Sequence, residues 1–164
     1  EVVAFEPYPF PYGLAKKNLE TNEISNVLLL NAGIGGRDGL LTVSPDERKT
    51  DGLLLKPSSE GVKVPIYSLD HVIEEYGPFD VMKMDCEGCE YDAIFNSKRI
   101  AEISEMQIEF HYGYKRLERA LVQAGYTVNH GKPVRSGSPD EKLRAEAERN
   151  DDYTWGFIHA YMRR

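Results

Sequence analysis

The sequence has no long apolar run, few cysteines, a single tryptophan and no excess of basic residues. No stretch approaches the ~20 apolar residues that a membrane-spanning helix needs, so no membrane partner is expected. Lysine and arginine together number 20 against 27 aspartates and glutamates, which gives a net charge of −7. Binding to nucleic acid through its phosphates needs a basic surface, so nucleic acid is not an expected partner.

The first residues, EVVAFEP, lack the basic region and the small-residue cleavage site of a secretory signal. The only two cysteines, Cys86 and Cys89, are too few for a disulfide scaffold and favour a reducing compartment, so the expected location is the cytoplasm. The chain of 164 residues is long enough for one domain with a real core, and we expect a single domain over residues 1–164.

Short apolar runs alternate with amphipathic segments along the chain. This alternation predicts an α/β fold with a mostly parallel sheet, in which the last two strands (126–129 and 153–162) pair antiparallel. Three early prolines predict that the first helix begins only near residue 12. Residues 131–150, rich in glycine, proline, serine and charge, predict an exposed insertion, with a solvated helix over 140–149.

Polar residues follow the predicted strands where each strand ends. Ligands of open α/β sheets bind outside the carboxyl ends of the strands, so these residues are expected along one edge of the sheet. Glu6 either accepts hydrogen bonds from two ribose hydroxyls or begins a turn before Pro7. The stretch NAGIGG, from Asn31 to Gly36, precedes a strand rather than a helix, so it is not a phosphate cradle. It shapes the wall of a flat ligand or forms a plain turn.

The stretch MDCEGCEY, residues 84–91, holds both cysteines within a run of acids. A C-x-x-C pair between a strand and a helix is typical of redox proteins, but Asp85, Glu87 and Glu90 disfavour a thiolate by charge repulsion. No second C-x-x-C completes a zinc site. The carboxylates are therefore the better candidates for function, with Glu90 explained by its place in the first turn of a helix.

His111 ends the next strand, and strand periodicity places Glu109 on the same side. A histidine at a strand end beside acids is a candidate general base, although a histidine facing a core is more often a satisfied hydrogen-bonding group. Oxygen and nitrogen donors of this kind could also hold a divalent ion. A base held in place by acids uses the same residues, and we expect no metal.

Five stretches occur in order and at the intervals of a known family: VVAFEPYPFPYGLAKKNLETN, NAGIGG, YSLDHV, FDVMKMDCEGCEYDAI and MQIEFH. In these the sequence resembles the FkbM family of S-adenosylmethionine-dependent methyltransferases over residues 1 to about 130. The resemblance implies a Rossmann-like class I methyltransferase sheet with an antiparallel last strand. It also implies methyl transfer from S-adenosylmethionine, usually to oxygen, on a hydroxyl of a small-molecule or glycan-type substrate.

The resemblance also implies roles for individual residues. The residues implied to bind the cofactor are Glu6 with Pro7, Asn31 with Ala32, and Asp85. Catalysis falls to His111, Asp85 and Glu109, with Glu87 and His111 on the substrate side, and the cysteines occupy variable positions of the motif.

The family carries a glycine-rich cofactor motif on a central strand upstream of Phe-Glu-Pro, and this sequence starts at the strand of Phe-Glu-Pro itself. We therefore expect a truncated domain whose central strand is missing. Its open sheet edge could pair with another copy. Two alternatives to a methyltransferase stay open: a non-catalytic remnant that acts as an interaction module, and a thiol-disulfide protein.

Overall fold

A computed structural model describes residues 1–43, 60–135 and 154–162. The regular elements in chain order are β1 (Val2–Phe5), α1 (Pro9–Thr21), β2 (Val27–Leu30), β3 (Gly33–Gly35), β4 (Gly39–Val43), β5 (Val62–Ser68), α2 (Leu69–Tyr76), β6 (Val81–Met84), α3 (Cys89–Asn96), a 3₁₀ turn (Ile100–Glu102), β7 (Glu105–Phe110), α4 (Lys115–Gln123), β8 (Thr127–His130), β9 (Val134–Arg135) and β10 (Thr154–Tyr161). The helix predicted over 140–149 lies outside the described residues.

The described strands form three sheets rather than one continuous sheet. The largest has the order β6-β7-β10-β8, with β9 paired to β10. β6 and β7 run parallel, whereas β10 is antiparallel to β7 and β8, as predicted for the last strand. β1 and β2 form a separate parallel pair. The third sheet has the order β3-β5-β4. The fold is therefore mixed α/β, but it is not mostly parallel as predicted: three of the described strand pairs are parallel and four are antiparallel.

The main core lies between the large sheet and helices α2, α3 and α4. It includes side chains with no exposed surface, among them Phe110, Leu117, Leu121 and Ile158. Because α4 presents Leu117 and Leu121 four residues apart, both lie on the face that packs on the sheet. This packing fixes the carboxyl ends of β6 and β7 relative to α3.

One predicted helix begins elsewhere in the structure, and one strand of the structure was not predicted. The first helix begins at Pro9, not near residue 12, because the first backbone N–H groups of a helix have no partner within it, so prolines there remove no helical hydrogen bond. The glycine-rich stretch after β2 contains a short strand, β3, which was not predicted. It runs parallel to β5 with Gly33 opposite Ile66. Within the described part of the insertion predicted at 131–150, β9 pairs with the start of β10.

Candidate functional site

Two parallel strands bring the predicted acids to one edge of the large sheet. Met84 of β6 lies opposite Ile108 of β7. Asp85 follows Met84 directly, and Glu109 follows Ile108, so the register places the two carboxylates side by side. The structure therefore brings these two residues together, as their positions at the ends of strands indicated, and their roles stay a prediction.

His111 lies at the centre of the group, with its side chain only 14% exposed. Its Nε2 atom is 3.3 Å from Oε2 of Glu87, 3.8 Å from Oε1 of Glu109 and 3.9 Å from Oδ1 of Asp85. One imidazole nitrogen thus faces three carboxylates. We call Asp85, Glu87, Glu109 and His111 the acid–histidine cluster.

Glu90 is the member that sequence reasoning missed as part of the site. Its side chain has no exposed surface. Oε1 lies 3.2 Å from Nδ1 of His111, and Oε2 accepts a hydrogen bond of 2.9 Å from the backbone N–H of Gly88. The signal was helical spacing: Glu90 shares a face of α3 with Ala93 and Ile94, which are buried. An acid on that face needs a buried partner.

The surroundings shift two pKa values upward. Burial by itself would lower the pKa of His111, but the hydrogen bond to Glu90 and the charges of Glu90, Glu87 and Glu109 outweigh it and raise the pKa above its usual value. Burial, with the nearby Asp85 carboxylate, raises the pKa of Glu109. The cluster therefore holds a proton on the imidazole to a higher pH than a free histidine does.

Four residues at the junction of β6 and α3, Cys86 to Cys89, are called the cysteine loop. The last of them, Cys89, is also the first residue of α3. The structure joins the two cysteines by a disulfide, a pairing that the sequence left open. The two residues between them have left-handed backbones, with φ of 58° at Glu87 and 121° at Gly88. Sγ of Cys86 lies 3.2 Å from Oε2 of Glu90; this sulfur carries no hydrogen in the disulfide, so the approach is a contact and not a hydrogen bond.

A second side chain of α3 fixes the segment that follows His111. The hydroxyl of Tyr91 donates to the carbonyl of Gly113 (2.8 Å) and accepts from the backbone N–H of Tyr112 (2.9 Å). Glu90 and Tyr91 are neighbours in sequence, so one turn of α3 holds both the imidazole and the backbone beyond it.

The other predicted site residues form a separate group at the ends of β1 and β2. The side-chain amide of Asn31 donates to the carbonyls of Glu6 (2.9 Å) and Pro7 (3.1 Å). Oε1 of Glu6 accepts from the N–H of Tyr8 at 2.8 Å. Burial raises the pKa of Glu6, against the lowering effect of that hydrogen bond. Ala32 is 1% exposed. This group thus lies at the end of a different sheet from the acid–histidine cluster, which holds the remaining predicted cofactor residue, Asp85. The prediction that all these residues follow strands of one sheet was wrong, because β1 and β2 pair only with each other among the described strands.

The glycine-rich stretch is held against α3. The backbone N–H of Gly36 donates to Oδ2 of Asp92 at 2.7 Å. A Cβ atom at Gly36 would lie 2.6 Å from side-chain atoms of Asp92 and Asn96, so the close approach requires glycine. A cleft between this stretch, the start of α2 and the end of α3 is lined by Gly36, Asp70 and Asn96 but by no member of the acid–histidine cluster.

The donor set of the cluster suits two kinds of chemistry. Asp85, Glu109 and His111 each offer one ligand atom, all within 4.8 Å of one another, which is a spacing compatible with a divalent cation. The same geometry suits proton transfer at Nε2, with Glu90 orienting the ring. The sequence favoured the second use, and the absence of a metal stays a prediction.

The structure thus places a histidine beside a buried acid at the carboxyl ends of two parallel strands, in a mixed α/β fold. A family model described as the methyltransferase FkbM domain matches residues 1–128. The chain belongs to this family, and the predicted resemblance is confirmed. No significant match was found among curated proteins or among solved structures. No helix in the described ranges combines the length and apolarity needed to cross a membrane.

Proposed function

We propose that the protein transfers a methyl group from S-adenosylmethionine to a hydroxyl oxygen of a small molecule or glycan. The observation that carries the proposal is the position of Nε2 of His111, which faces Glu87, Glu109 and Asp85 at distances of 3.3 to 3.9 Å in a chain of a methyltransferase family. Such a nitrogen can take the proton that a hydroxyl loses when it is methylated.

The charge of the site supports this choice of cofactor. Three carboxylates face one imidazole, and the salt bridge that Asp85 makes with Lys83 is long, at 3.6 Å, and exposed. A site with this excess of negative charge favours a cationic ligand. When bound, S-adenosylmethionine supplies an activated methyl group on a positively charged sulfur.

The group around Glu6 fits the nucleoside part of the same cofactor. We assign the ribose hydroxyls to the Glu6 carboxylate, because an ionised carboxylate accepts several hydrogen bonds. Pro7, Asn31 and Ala32 are assigned to the adenine side. The amide of Asn31 already donates to the Glu6 and Pro7 carbonyls, so its contribution is to hold the end of β1 in place.

His111 is the proposed general base. Its Nε2 accepts the proton of the acceptor hydroxyl, while the N–H at Nδ1 continues to donate a hydrogen bond to Glu90. The imidazolium that results lies among Glu87, Glu109 and Asp85, which stabilise its positive charge. Asp85 and Glu109 thereby act on the reacting proton through His111, and Glu87 lies on the substrate side.

Calorimetric titration with S-adenosylhomocysteine tests the cofactor assignment. Relative to the unaltered protein, we expect a loss of affinity of about 10- to 100-fold in Glu6→Ala, since hydrogen bonds to a charged group contribute about 1.5–3 kcal/mol. Glu20→Ala, at an exposed glutamate of α1, is the matched control and should bind as wild type. Unchanged affinity in a folded Glu6→Ala protein would overturn the ribose assignment.

A second candidate, a non-catalytic interaction module, is favoured by one observation. In the described part of the chain, β1 and β6 are edge strands, and each exposes a valine: Val2 is 50% exposed and Val81 61%. Such edges can pair with a strand of another chain, including a second copy. Concentration-dependent dimerisation in sedimentation velocity, combined with no binding of S-adenosylhomocysteine, would favour this candidate.

A further inference from the structure

The cysteine loop is the feature of the site that methyl transfer leaves unexplained. Its disulfide joins Cys86, two residues after the end of β6, to Cys89, the first residue of α3. Both cysteines are partly exposed. The bond therefore lies at the edge of the acid–histidine cluster, within reach of a reagent in solution.

A disulfide in this place contributes little to the stability of the fold. The stabilisation that a disulfide gives increases with the length of the loop that it closes, and this loop has only two residues between the cysteines. The loop is also closed without it, by a hydrogen bond of 3.4 Å from the N–H of Cys89 to the carbonyl of Cys86. The bond is thus better explained by its effect on the residues that it encloses.

Glu87 is the enclosed residue that touches the cluster. Its φ of 58° is in the left-handed region, which is unfavourable for a residue with a Cβ atom. In that conformation Oε2 lies 3.3 Å from Nε2 of His111, the shortest of the three carboxylate approaches to this atom. The disulfide tethers both neighbours of the Glu87–Gly88 pair, so it helps to hold the carboxylate against the imidazole.

Glu90 provides an acceptor for the reduced form. Its Oε2 lies 3.2 Å from Sγ of Cys86, a sulfur that has no hydrogen to donate while the disulfide is intact. Once reduced, the Cys86 thiol can donate to this buried oxygen. The other sulfur, on Cys89, lies at the N-terminus of α3, where the helix dipole stabilises the negative charge that develops on this sulfur as the S–S bond breaks, before the sulfur is protonated. Both products of bond opening thus have a stabilising neighbour.

We propose that the Cys86–Cys89 disulfide is a site of reversible exchange with a dithiol reductant, and that its opening withdraws Glu87 from His111. The structural change is independent of the proposed function, whereas its effect on catalysis rests on the proposed function. A disulfide that cycles in this way is typical of redox sensing rather than of structural support.

The thiol–disulfide exchange takes place in two steps. A thiolate of the dithiol attacks Sγ of Cys86, the S–S bond breaks, and its electron pair goes to Sγ of Cys89, which takes up the proton that the attacking thiol lost. The second thiol of the reductant attacks the mixed disulfide and releases Cys86, which is protonated and donates to Glu90. The protein gains two thiols, and the reductant becomes a disulfide.

The test uses the whole chain, oxidised or reduced with dithiothreitol under native conditions. Mass spectrometry after alkylation counts the thiols, and NMR of the ring nitrogens reports on each of the four histidines. We expect two alkyl groups after reduction, together with a shift of the His111 ring signals that reverses on reoxidation. The signals of His71, His130 and His159 should not shift, since their hydrogen-bond partners are Asp38, Gly131 and Glu105.

Two variants test whether the disulfide acts on His111 through Glu87. The double variant Cys86→Ser/Cys89→Ser should show the His111 signals of the reduced protein with or without dithiothreitol. In Glu87→Gln, the shift of His111 on reduction should fall to less than half. Failure to reduce the folded protein, identical His111 signals in both redox states, or an undiminished response in Glu87→Gln would each overturn the proposal. These readouts need no cofactor, so they are independent of whether the chain binds S-adenosylhomocysteine.

Discussion

Oε1 of Glu90 lies 3.2 Å from Nδ1 of His111, and the Glu90 side chain is completely buried. A buried carboxylate at one imidazole nitrogen fixes the ring orientation and leaves the other nitrogen to face the site. That second nitrogen is the one that Glu87, Glu109 and Asp85 surround. The same carboxylate holds the N–H of Gly88, so one acid couples the cysteine loop to the histidine.

Replacing Glu90 by glutamine should lower the pKa of His111. The carboxylate stabilises the imidazolium, and a neutral amide of the same size removes that charge. An NMR titration of the His111 ring checks this. Glu105→Gln, at an exposed acid that contacts His159, is the control and should leave the pKa of His111 unchanged. An unshifted pKa in Glu90→Gln would mean that Glu90 does not act on the imidazole.

Replacing His111 by glutamine should lower turnover by about 10²- to 10⁴-fold, the usual contribution of a general base. Cofactor affinity should stay within about twofold, because His111 is assigned to the proton and not to the nucleoside. Turnover is measured as transfer of a labelled methyl group to a hydroxyl acceptor found by screening. Cofactor affinity is measured by calorimetry with S-adenosylhomocysteine. A collapse of binding would make His111 a cofactor contact or a structural residue.

The rate of methyl transfer should rise with pH through the pKa of His111. The proposed base must be deprotonated to accept a proton, and the folded protein raises the pKa of His111 above its usual value. Activity is therefore expected to be lost below that pKa and to reach its plateau above it. A profile of turnover against pH, compared between wild type and Glu90→Gln, checks the sign: the rise should move to lower pH in the variant.

Asp70 should stabilise the fold in a pH-dependent way. Burial alone would raise the pKa of Asp70, but hydrogen bonds from Ser97 Oγ (2.6 Å) and from the N–H groups of Lys98 (3.0 Å) and Arg99 (3.1 Å) outweigh it and lower the pKa. Asp70→Asn should therefore lower the free energy of unfolding at pH 7 by about 1–3 kcal/mol. Urea denaturation of both proteins measures the difference.

The sign with pH follows from the lowered pKa of Asp70. The stabilisation is fully present above the pKa of the unfolded state, near 3.9, and is lost as the pH falls through the lower pKa of the folded state. The difference between wild type and Asp70→Asn should thus vanish in strong acid. Asp80→Asn, at an exposed aspartate, is the control and should change stability at pH 7 by less than about 0.5 kcal/mol.

Gly36→Ala should lower the free energy of unfolding by about 1–3 kcal/mol. The added Cβ would lie 2.6 Å from side-chain atoms of Asp92 and Asn96, and would displace the carboxylate that accepts from the backbone N–H of Gly36. Gly39→Ala is the matched control, since nothing lies within 4 Å of a Cβ there. Equal thermal denaturation midpoints for the two variants would contradict a requirement for glycine at position 36.

The sequence by itself determined the strands that carry the site. The apolar runs that end at Glu6, Asp85 and His111 can be recognised from the local sequence pattern. Parallel pairing of the strands then brings Asp85 and His111 to one edge of the sheet. The family resemblance was also readable, because its motifs are contiguous. The start of the first helix was wrong, since the prolines were counted as helix breakers at positions where the backbone N–H groups have no helical partner.

Only the tertiary structure decided how the site is assembled. From the sequence, Glu90 is an ordinary acid in the first turn of a helix, and its burial against His111 depends on where the start of α3 lies relative to the residue that follows β7. The Cys86–Cys89 bond was equally open, because a C-x-x-C spacing permits a free pair, a metal site or a disulfide. Charge and spacing are local properties of the chain, whereas burial and the pairing of side chains depend on contacts between residues far apart in sequence.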